Sequence, residues 1–132
     1  MKKRILIVED NRDFIVILRS MLKRIGDFKI FVAHDGIEGE VTCEAHIPDL
    51  VIMDMLMPAM NGIEATRIMR RHFPKLPIIM LTASDTRKNE EDSIAAGCNA
   101  FLKKPISLAQ LREAICKFIP CSSRTATLAL LQ

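Results

Sequence analysis

The chain has 132 residues, of which 49% are hydrophobic and 27% are charged, with a formal net charge of +3. These values are typical of one globular domain with a packed core, and they exclude a largely disordered chain. The small net charge gives no sign of a nucleic-acid-binding surface, and no apolar run approaches the ~20 residues of a membrane span. We therefore expect a soluble, cytoplasmic domain that binds neither nucleic acid nor membrane directly.

Short apolar runs alternate with longer amphipathic stretches along the chain. The runs predict strands over residues 4–8, 29–33, 50–53, 78–81 and 100–102. The first, third and fourth runs are apolar at consecutive positions, which is the pattern of strands buried on both faces of a parallel sheet. The intervening stretches predict helices over residues 14–25, 36–45, 63–72, 86–96 and 108–119.

The helical stretches differ in how much apolar surface they offer. The first carries a stripe at spacings of three and four, formed by Phe14, Ile17, Leu18, Met21, Leu22 and Ile25. The fourth is mostly polar, and only residues 94–96 are expected to be buried. Five βα units with right-handed crossovers predict an α/β fold in which helices cover both faces of an open parallel sheet.

Polar side chains follow four of the predicted strands. Glu9 and Asp10 follow the first strand, Asp54 the third, Thr82 the fourth and the pair Lys103-Lys104 the fifth. Sites in open parallel sheets lie at the carboxyl ends of the strands, so we expect these groups to converge. Clustered carboxylates do not all stay ionised without a cation, and Mg²⁺ prefers oxygen ligands of this kind. With the lysine and the hydroxyl added, the set suits a phosphoryl group.

Over residues 3–119 these motifs resemble the receiver domain of two-component response regulators. The resemblance is carried by Glu9-Asp10, by Asp54 within VIMDMLMPAMNG, by Thr82-Ala83 within IIMLTAS, and by Phe101 and Lys104 within AGCNAFLKKPI. It implies a (βα)5 doubly wound, flavodoxin-like sheet of five parallel strands in the order 2-1-3-4-5. It also implies a phosphorylation-dependent signalling switch and not an enzyme.

The resemblance implies a role for each residue at the strand ends. Asp54 would accept a phosphoryl group from a sensor histidine kinase or a phosphotransfer protein. Asp10, Asp54 and the backbone carbonyl of Leu56 would bind Mg²⁺, with Glu9 acting through a bound water. Lys104 would pair with the phosphoryl oxygens, because the relevant lysine of this family directly precedes a proline, in a peptide bond that is typically cis.

Further residues are expected to transmit or tune the signal. Thr82 would move toward the phosphoryl group, and Phe101 would swing inward, changing the surface of the fourth helix, fifth strand and fifth helix. That surface would bind an output protein or domain outside this chain. Leu56 and Ser84 would flank the path of an attacking water and so set the dephosphorylation rate. We expect a monomer at rest that is able to dimerise on phosphorylation.

Two other functions use part of the same chemistry. A haloacid-dehalogenase-like phosphatase also has a nucleophilic aspartate, a lysine and Mg²⁺, but it needs an acid two residues past the nucleophile, where this chain has Leu56. A flavodoxin-like mononucleotide binder needs a phosphate loop after the first strand, where Glu9 and Asp10 would repel phosphate.

The remaining features lie outside these motifs. Four cysteines, at positions 43, 98, 116 and 121, lack zinc-binding spacing, and we expect reduced thiols. The domain is expected to span residues 1–120. Residues 121–132 would then form a C-terminal extension or the start of a linker, with Leu128, Leu130 and Leu131 available to dock on a neighbouring surface or a partner chain.

Overall fold

The fold was obtained as a computed structural model, which describes residues 1–84 and 86–121. The expected extension begins at residue 121, and its residues 122–132, with Leu128, Leu130 and Leu131, lie outside the described residues. Within the described ranges, no helix is both long and apolar enough to cross a membrane.

Five strands alternate with five helices along the chain. The strands are β1 (Lys3–Val8), β2 (Phe28–Ala33), β3 (Leu50–Asp54), β4 (Ile78–Thr82) and β5 (Ala100–Lys103). The helices are α1 (Arg12–Ile25), α2 (Gly36–His46), α3 (Gly62–His72), α4 (Arg87–Ala96) and α5 (Leu108–Cys116). The strands form one parallel sheet in the order β2-β1-β3-β4-β5. The predicted α/β fold and strand order are confirmed.

The consecutive apolar residues of the central strands bury both faces of the sheet. On β1, Ile5 and Ile7 point into a core cluster shared with α1 and α5, whereas Leu6 and Val8 point into a cluster shared with α2 and α3. All five residues of β3 and all five of β4 are buried. This two-sided burial fixes the register of the strands, and with it the positions of the residues at their carboxyl ends.

The helices differ from the predictions in three places. On α1 the buried residues are Ile15, Leu18, Leu22 and Ile25, whereas Ile17 is 48% exposed. On α4 the inward residues are Ser93 and Ala96, and Ile94 is 58% exposed. The helical repeat of 3.6 residues, and not apolarity alone, decides which residues face the sheet. Finally, α5 ends at Cys116, three residues before the predicted end, and a turn leads to Pro120.

The expectation of four reduced thiols is wrong for two of the cysteines. Cys116 and Cys121 form a disulfide, with a Cα–Cα distance of 5.4 Å. The turn that follows α5 brings them together, and sequence spacing alone did not indicate this turn. Cys43 and Cys98 are free, buried thiols, and burial raises the pKa of both.

Candidate active site

The first acidic pair is held at the end of β1 by the sheet itself. The backbone N–H of Glu9 donates to the carbonyl of Ala33 on β2, at 2.9 Å, so sheet pairing continues one residue past the strand. The Glu9 carboxylate accepts a hydrogen bond from the backbone N–H of Asp10, at 3.1 Å. Asn11 then caps α1, since its side chain accepts from the backbone N–H of Phe14.

Asp54 is the last residue of β3, opposite Leu81 on β4. The next residue, Met55, donates its backbone N–H to the Leu81 carbonyl at 2.8 Å and accepts from the N–H of Gly62 at 2.8 Å. A Cβ atom at Gly62 would collide with the backbone carbonyl oxygen of Asp54. A glycine is therefore needed where α3 begins, because this helix packs directly against the end of β3.

The dipeptide Asn61-Gly62 does more than make a turn. Asn61 is the N-cap of α3, and its side chain accepts from the backbone N–H of Glu64. Gly62 permits the close approach of the helix to Asp54. Together these residues anchor the loop between β3 and α3 at both ends. The backbone at Asp54 is therefore held in place, and this positions the Asp54 side chain.

Lys104 reaches the acidic residues from the end of β5. Its backbone N–H donates to the Thr82 carbonyl at 2.7 Å, and its peptide bond to Pro105 is cis, as the resemblance implied. The Lys104 Nζ atom lies 2.8 Å from Glu9 Oε1 and 3.4 Å from Asp54 Oδ1. The ammonium therefore sits between two carboxylates that come from different strands.

The charges at this site are unbalanced. Carboxylate oxygens of Glu9, Asp10 and Asp54 lie within 4.8 Å of one another. Glu9 is only 1% exposed and Asp54 only 6% exposed, so neither is well hydrated. Burial and the neighbouring Asp54 carboxylate raise the pKa of Glu9 to about 7, although Lys104 acts in the opposite direction. One lysine does not neutralise three carboxylates, and the oxygen-only donor set fits a hard divalent cation such as Mg²⁺.

The other predicted site residues differ in their burial and in their contacts. Thr82 is fully buried, and its hydroxyl donates to the Ser84 carbonyl and accepts from the Ser84 N–H, at 2.9 and 3.0 Å. Phe101 is partly buried and packs against the core cluster under α2 and α3. Leu56 is 61% exposed, although it is large and apolar.

Sequence reasoning missed two contacts. The ring of Phe14 lies under the Lys104 ammonium, with 4.1 Å from Nζ to the ring centroid. Phe14 had been assigned to the apolar stripe of α1, and only its place one turn after Asp10 could have indicated a role at the strand ends.

Separately, Glu40, Glu44 and His72 converge on the surface of α2 and α3, with ligand atoms within 4.8 Å of one another. Their positions in the sequence are too far apart to predict this group.

A doubly wound parallel sheet with three acids and a lysine at its carboxyl edge defines a class of phosphoryl-handling α/β domains. Within that class, the family model for the response regulator receiver domain matches residues 5–116. The chain therefore belongs to the response regulator receiver domain family of two-component signalling systems. This membership identifies the domain as a phosphoacceptor signalling module.

Relatives and solved structures agree with this assignment. Histidine kinase 5 of Arabidopsis thaliana is 30% identical over 89% of this chain and 16% of its own length. The regulatory protein PhoP of Bacillus subtilis is 33% identical over 81% of this chain and 44% of its own length. The chain thus spans less than half of each of these two proteins.

One solved structure bears on the metal. The receiver domain of the sensor histidine kinase PA1611 from Pseudomonas aeruginosa, solved with a magnesium ion in its active-site cleft, is 30% identical. The TM-score is 0.82, and the match covers 89% of this chain and 98% of that one.

A second solved structure supports the fold alone. It is the chemotaxis protein CheY4 of Vibrio cholerae, which is 23% identical, with a TM-score of 0.84 over 90% of this chain and all of that one.

Proposed function

We propose that this domain is a phosphorylation-dependent switch in which Asp54 accepts a phosphoryl group from a phosphohistidine. The observation that carries the proposal is the position of Lys104 Nζ, between the buried carboxylates of Glu9 and Asp54. This arrangement combines a nucleophilic oxygen of Asp54 with a positive charge at ion-pairing distance. Phosphoryl transfer depends on such positioning and charge stabilisation.

In the proposed reaction, one carboxylate oxygen of Asp54 attacks phosphorus. A P–O bond forms as the P–N bond to the donor imidazole breaks, and the imidazole leaves with the electron pair and takes up a proton. The product is an aspartyl phosphate. Mg²⁺ held by Asp10, Asp54 and the Leu56 backbone carbonyl, with Glu9 acting through a bound water, would supply positive charge to the transferred oxygens.

Lys104 would exchange partners during this reaction. At rest its ammonium is closer to Glu9 than to Asp54, at 2.8 against 3.4 Å. An aspartyl phosphate places further negative charge beside Asp54, which favours movement of the ammonium from the Glu9 carboxylate to the phosphoryl oxygens. The four-carbon lysine side chain allows this movement without displacement of the backbone.

The switch would then be read at the face formed by α4, β5 and α5. The Thr82 hydroxyl would leave the Ser84 backbone for a phosphoryl oxygen, and Phe101 would turn into the space left behind. Since only Ser93 and Ala96 of α4 are buried, this helix is weakly held and suited to shift. The partner would be an output protein or domain outside residues 1–120, and the resting domain would be a monomer able to dimerise on phosphorylation.

The lifetime of the phosphorylated state would depend on Leu56 and Ser84, which flank the approach of water. Leu56 is 61% exposed, and an apolar side chain at this point hinders water. We expect Leu56→Asn to shorten the half-life of the aspartyl phosphate. Val41→Asn, at a 63% exposed position on α2, is the matched control. An unchanged or longer half-life in Leu56→Asn would contradict this role.

The proposed function is tested by incubating the chain with Mg²⁺ and acetyl phosphate and measuring the intact mass. We expect one added phosphoryl group, which is lost in Asp54→Asn and when a chelator removes Mg²⁺. Glu44→Gln, at the exposed acidic group of α2, should be modified like the parent. Failure of the parent chain to gain mass, with either acetyl phosphate or a phosphorylated histidine kinase as donor, would overturn the proposal.

Measuring the phosphate released from acetyl phosphate and from phosphate esters distinguishes a switch from a phosphatase. A switch gains about one phosphoryl group and releases phosphate slowly, whereas a haloacid-dehalogenase-like phosphatase releases phosphate continuously from many esters. Position 56, two residues past the proposed nucleophile, carries Leu56 and so offers no acid for rapid turnover. Continuous release from a simple ester such as p-nitrophenyl phosphate would support the phosphatase.

A further inference from the structure

The ring of Phe14 is an uncharged partner of the Lys104 ammonium. The Nζ atom lies 4.1 Å from the ring centroid, well inside the ~6 Å over which an aromatic ring attracts a cation. The same ammonium is 2.8 Å from Glu9 and 3.4 Å from Asp54. Lys104 is therefore held by two carboxylates and by one aromatic face.

The backbone places Phe14 at this point. It is the third residue of α1, and its N–H donates to the side chain of the N-cap residue Asn11 at 3.1 Å. The ring is partly buried and packs against the core cluster under α1 and α5. A capped helix end and a packed core therefore fix the ring, whereas the lysine has a long and flexible side chain.

The two kinds of partner hold the ammonium differently. A carboxylate binds it through directional hydrogen bonds, and Glu9 would compete with a phosphoryl group for it. An aromatic face attracts the charge without requiring a particular N–H direction and without taking up the proton. The ring is therefore able to keep the ammonium at the site while it changes from Glu9 to a new anionic partner.

We propose that Phe14 is a positioning residue, whose ring holds the Lys104 ammonium at the carboxyl edge of the sheet. Its effect on the reaction rests on the proposed phosphorylation of Asp54, but its contact with Lys104 does not. In the phosphorylated state the ring would keep the ammonium within reach of the phosphoryl oxygens after it has left Glu9.

Phe14→Leu and Phe14→Tyr form the test pair. Leucine keeps an apolar side chain but removes the ring, whereas tyrosine keeps the ring. The first measurement is the NMR shift of the Lys104 ε-methylene protons in the unphosphorylated protein. A ring at this distance moves these protons upfield, and we expect that shift in the parent and in Phe14→Tyr and its loss in Phe14→Leu. Ordinary shifts in the parent would overturn the proposal, whether or not Asp54 is phosphorylated.

The second measurement is the rate of phosphorylation by acetyl phosphate with saturating Mg²⁺. A cation–π contact of ordinary strength corresponds to a change of about threefold to tenfold. We expect Phe14→Leu to be slower by that factor and Phe14→Tyr to match the parent within about twofold. If Phe14→Leu does not fold, as judged by its thermal melt, Phe14→Met takes its place.

A folded variant without the ring that is phosphorylated at the parent rate would overturn the positioning role. So would an equal loss of rate in Phe14→Tyr, because the effect would then come from packing and not from the ring. A parent chain that takes up no phosphoryl group would instead refute the proposed function, and the NMR shift would still decide whether Phe14 holds Lys104.

Discussion

Two groups of metal-ligand side chains in this domain have similar spacing but different surroundings. At the sheet edge, carboxylate oxygens of Glu9, Asp10 and Asp54 lie within 4.8 Å of one another, and two of these three residues are buried. On the helices, ligand atoms of Glu40, Glu44 and His72 also lie within 4.8 Å of one another, but Glu44 and His72 are exposed and Glu40 is only partly buried.

The difference teaches that proximity alone does not make a site. Exposed carboxylates on a helix are screened by water, and their mutual repulsion is small. At the sheet edge, burial and the neighbouring Asp54 carboxylate raise the pKa of Glu9, and the Lys104 ammonium lies 2.8 Å from the Glu9 carboxylate. We refer to the two sets below as the sheet-edge group and the helix-face group, and four experiments probe the contrast between them.

Binding of Mg²⁺ should give the largest difference. A ligand at 100 times its dissociation constant stabilises the folded state by about 2.7 kcal/mol. We expect a gain of this size in the free energy of unfolding for the parent and for the double variant Glu40→Gln, Glu44→Gln, and little gain for Asp10→Asn. Urea unfolding with and without Mg²⁺ measures it. Loss of the Mg²⁺ effect in the double variant would place the ion on the helices.

Removal of Lys104 beside the sheet-edge group should give the second-largest change in stability. Lys104→Gln leaves Glu9 and Asp54 without their shared cation, which should cost about 1–3 kcal/mol of unfolding free energy at pH 8 without Mg²⁺. Lys88→Gln, at an exposed position on α4, should stay within about 0.5 kcal/mol of the parent. Added Mg²⁺ should stabilise Lys104→Gln more than the parent, since the ion no longer competes with the ammonium. Equal unfolding free energies for Lys104→Gln and the parent would refute the claim that Lys104 stabilises the fold by pairing with Glu9 and Asp54.

The pH dependence of stability should give a change of similar size. Glu9 has a folded pKa of about 7, above its ordinary value of 4.5, so the folded protein binds this proton more tightly than the unfolded chain. Stabilisation by Glu9 is thus complete below pH ~4.5 and is lost as the pH rises through ~7, by about 3 kcal/mol. Unfolding of the metal-free parent from pH 4.5 to 8 measures this loss. The slope should disappear in Glu9→Gln and remain in Glu44→Gln; the same slope in both variants would assign it to other groups.

Side-chain exchange at Phe14 should give the smallest change in stability. Phe14→Tyr keeps the ring over Lys104 and should lie within about 0.5 kcal/mol of the parent. Phe14→Leu loses part of its packing and the cation–π contact, and a loss of about 1 kcal/mol is expected. Thermal melts of the two variants measure whether Phe14→Leu is less stable than Phe14→Tyr. The expectation would be contradicted if tyrosine were the more destabilising substitution.

The sequence was sufficient to predict the sheet-edge group because the pattern of apolar residues and the topology of the sheet determine where its members lie. Consecutive apolar residues identify buried parallel strands, and the first polar residue after each such strand lies at one edge of the sheet. Asp54 was found in this way, whereas Lys104 was chosen over Lys103 because of the family resemblance, and the structure places Asp54 and Lys104 together. Which residues bind Mg²⁺ or accept a phosphoryl group is a further question, and the experiments above address it.

Other features depend on contacts that sequence spacing does not encode. The approach of Gly62 to the Asp54 carbonyl and the ring of Phe14 under Lys104 both arise from how helices pack on the sheet. The disulfide between Cys116 and Cys121 depends on where α5 ends, and helix ends are the least predictable part of a helix. The exposure of Ile94 shows that an apolar residue on a polar helix is a weak guide to burial.

The most direct test of the sheet-edge group is to locate the phosphoryl group on the chain. After reaction with acetyl phosphate and Mg²⁺, borohydride reduces an aspartyl phosphate to homoserine, and peptide mass spectrometry identifies the reduced residue. We predict homoserine at position 54 and unmodified residues in the peptides that contain Glu44 and His72. Modification at the helix-face group, or an unmodified Asp54 in a chain that has gained a phosphoryl group, would contradict the account.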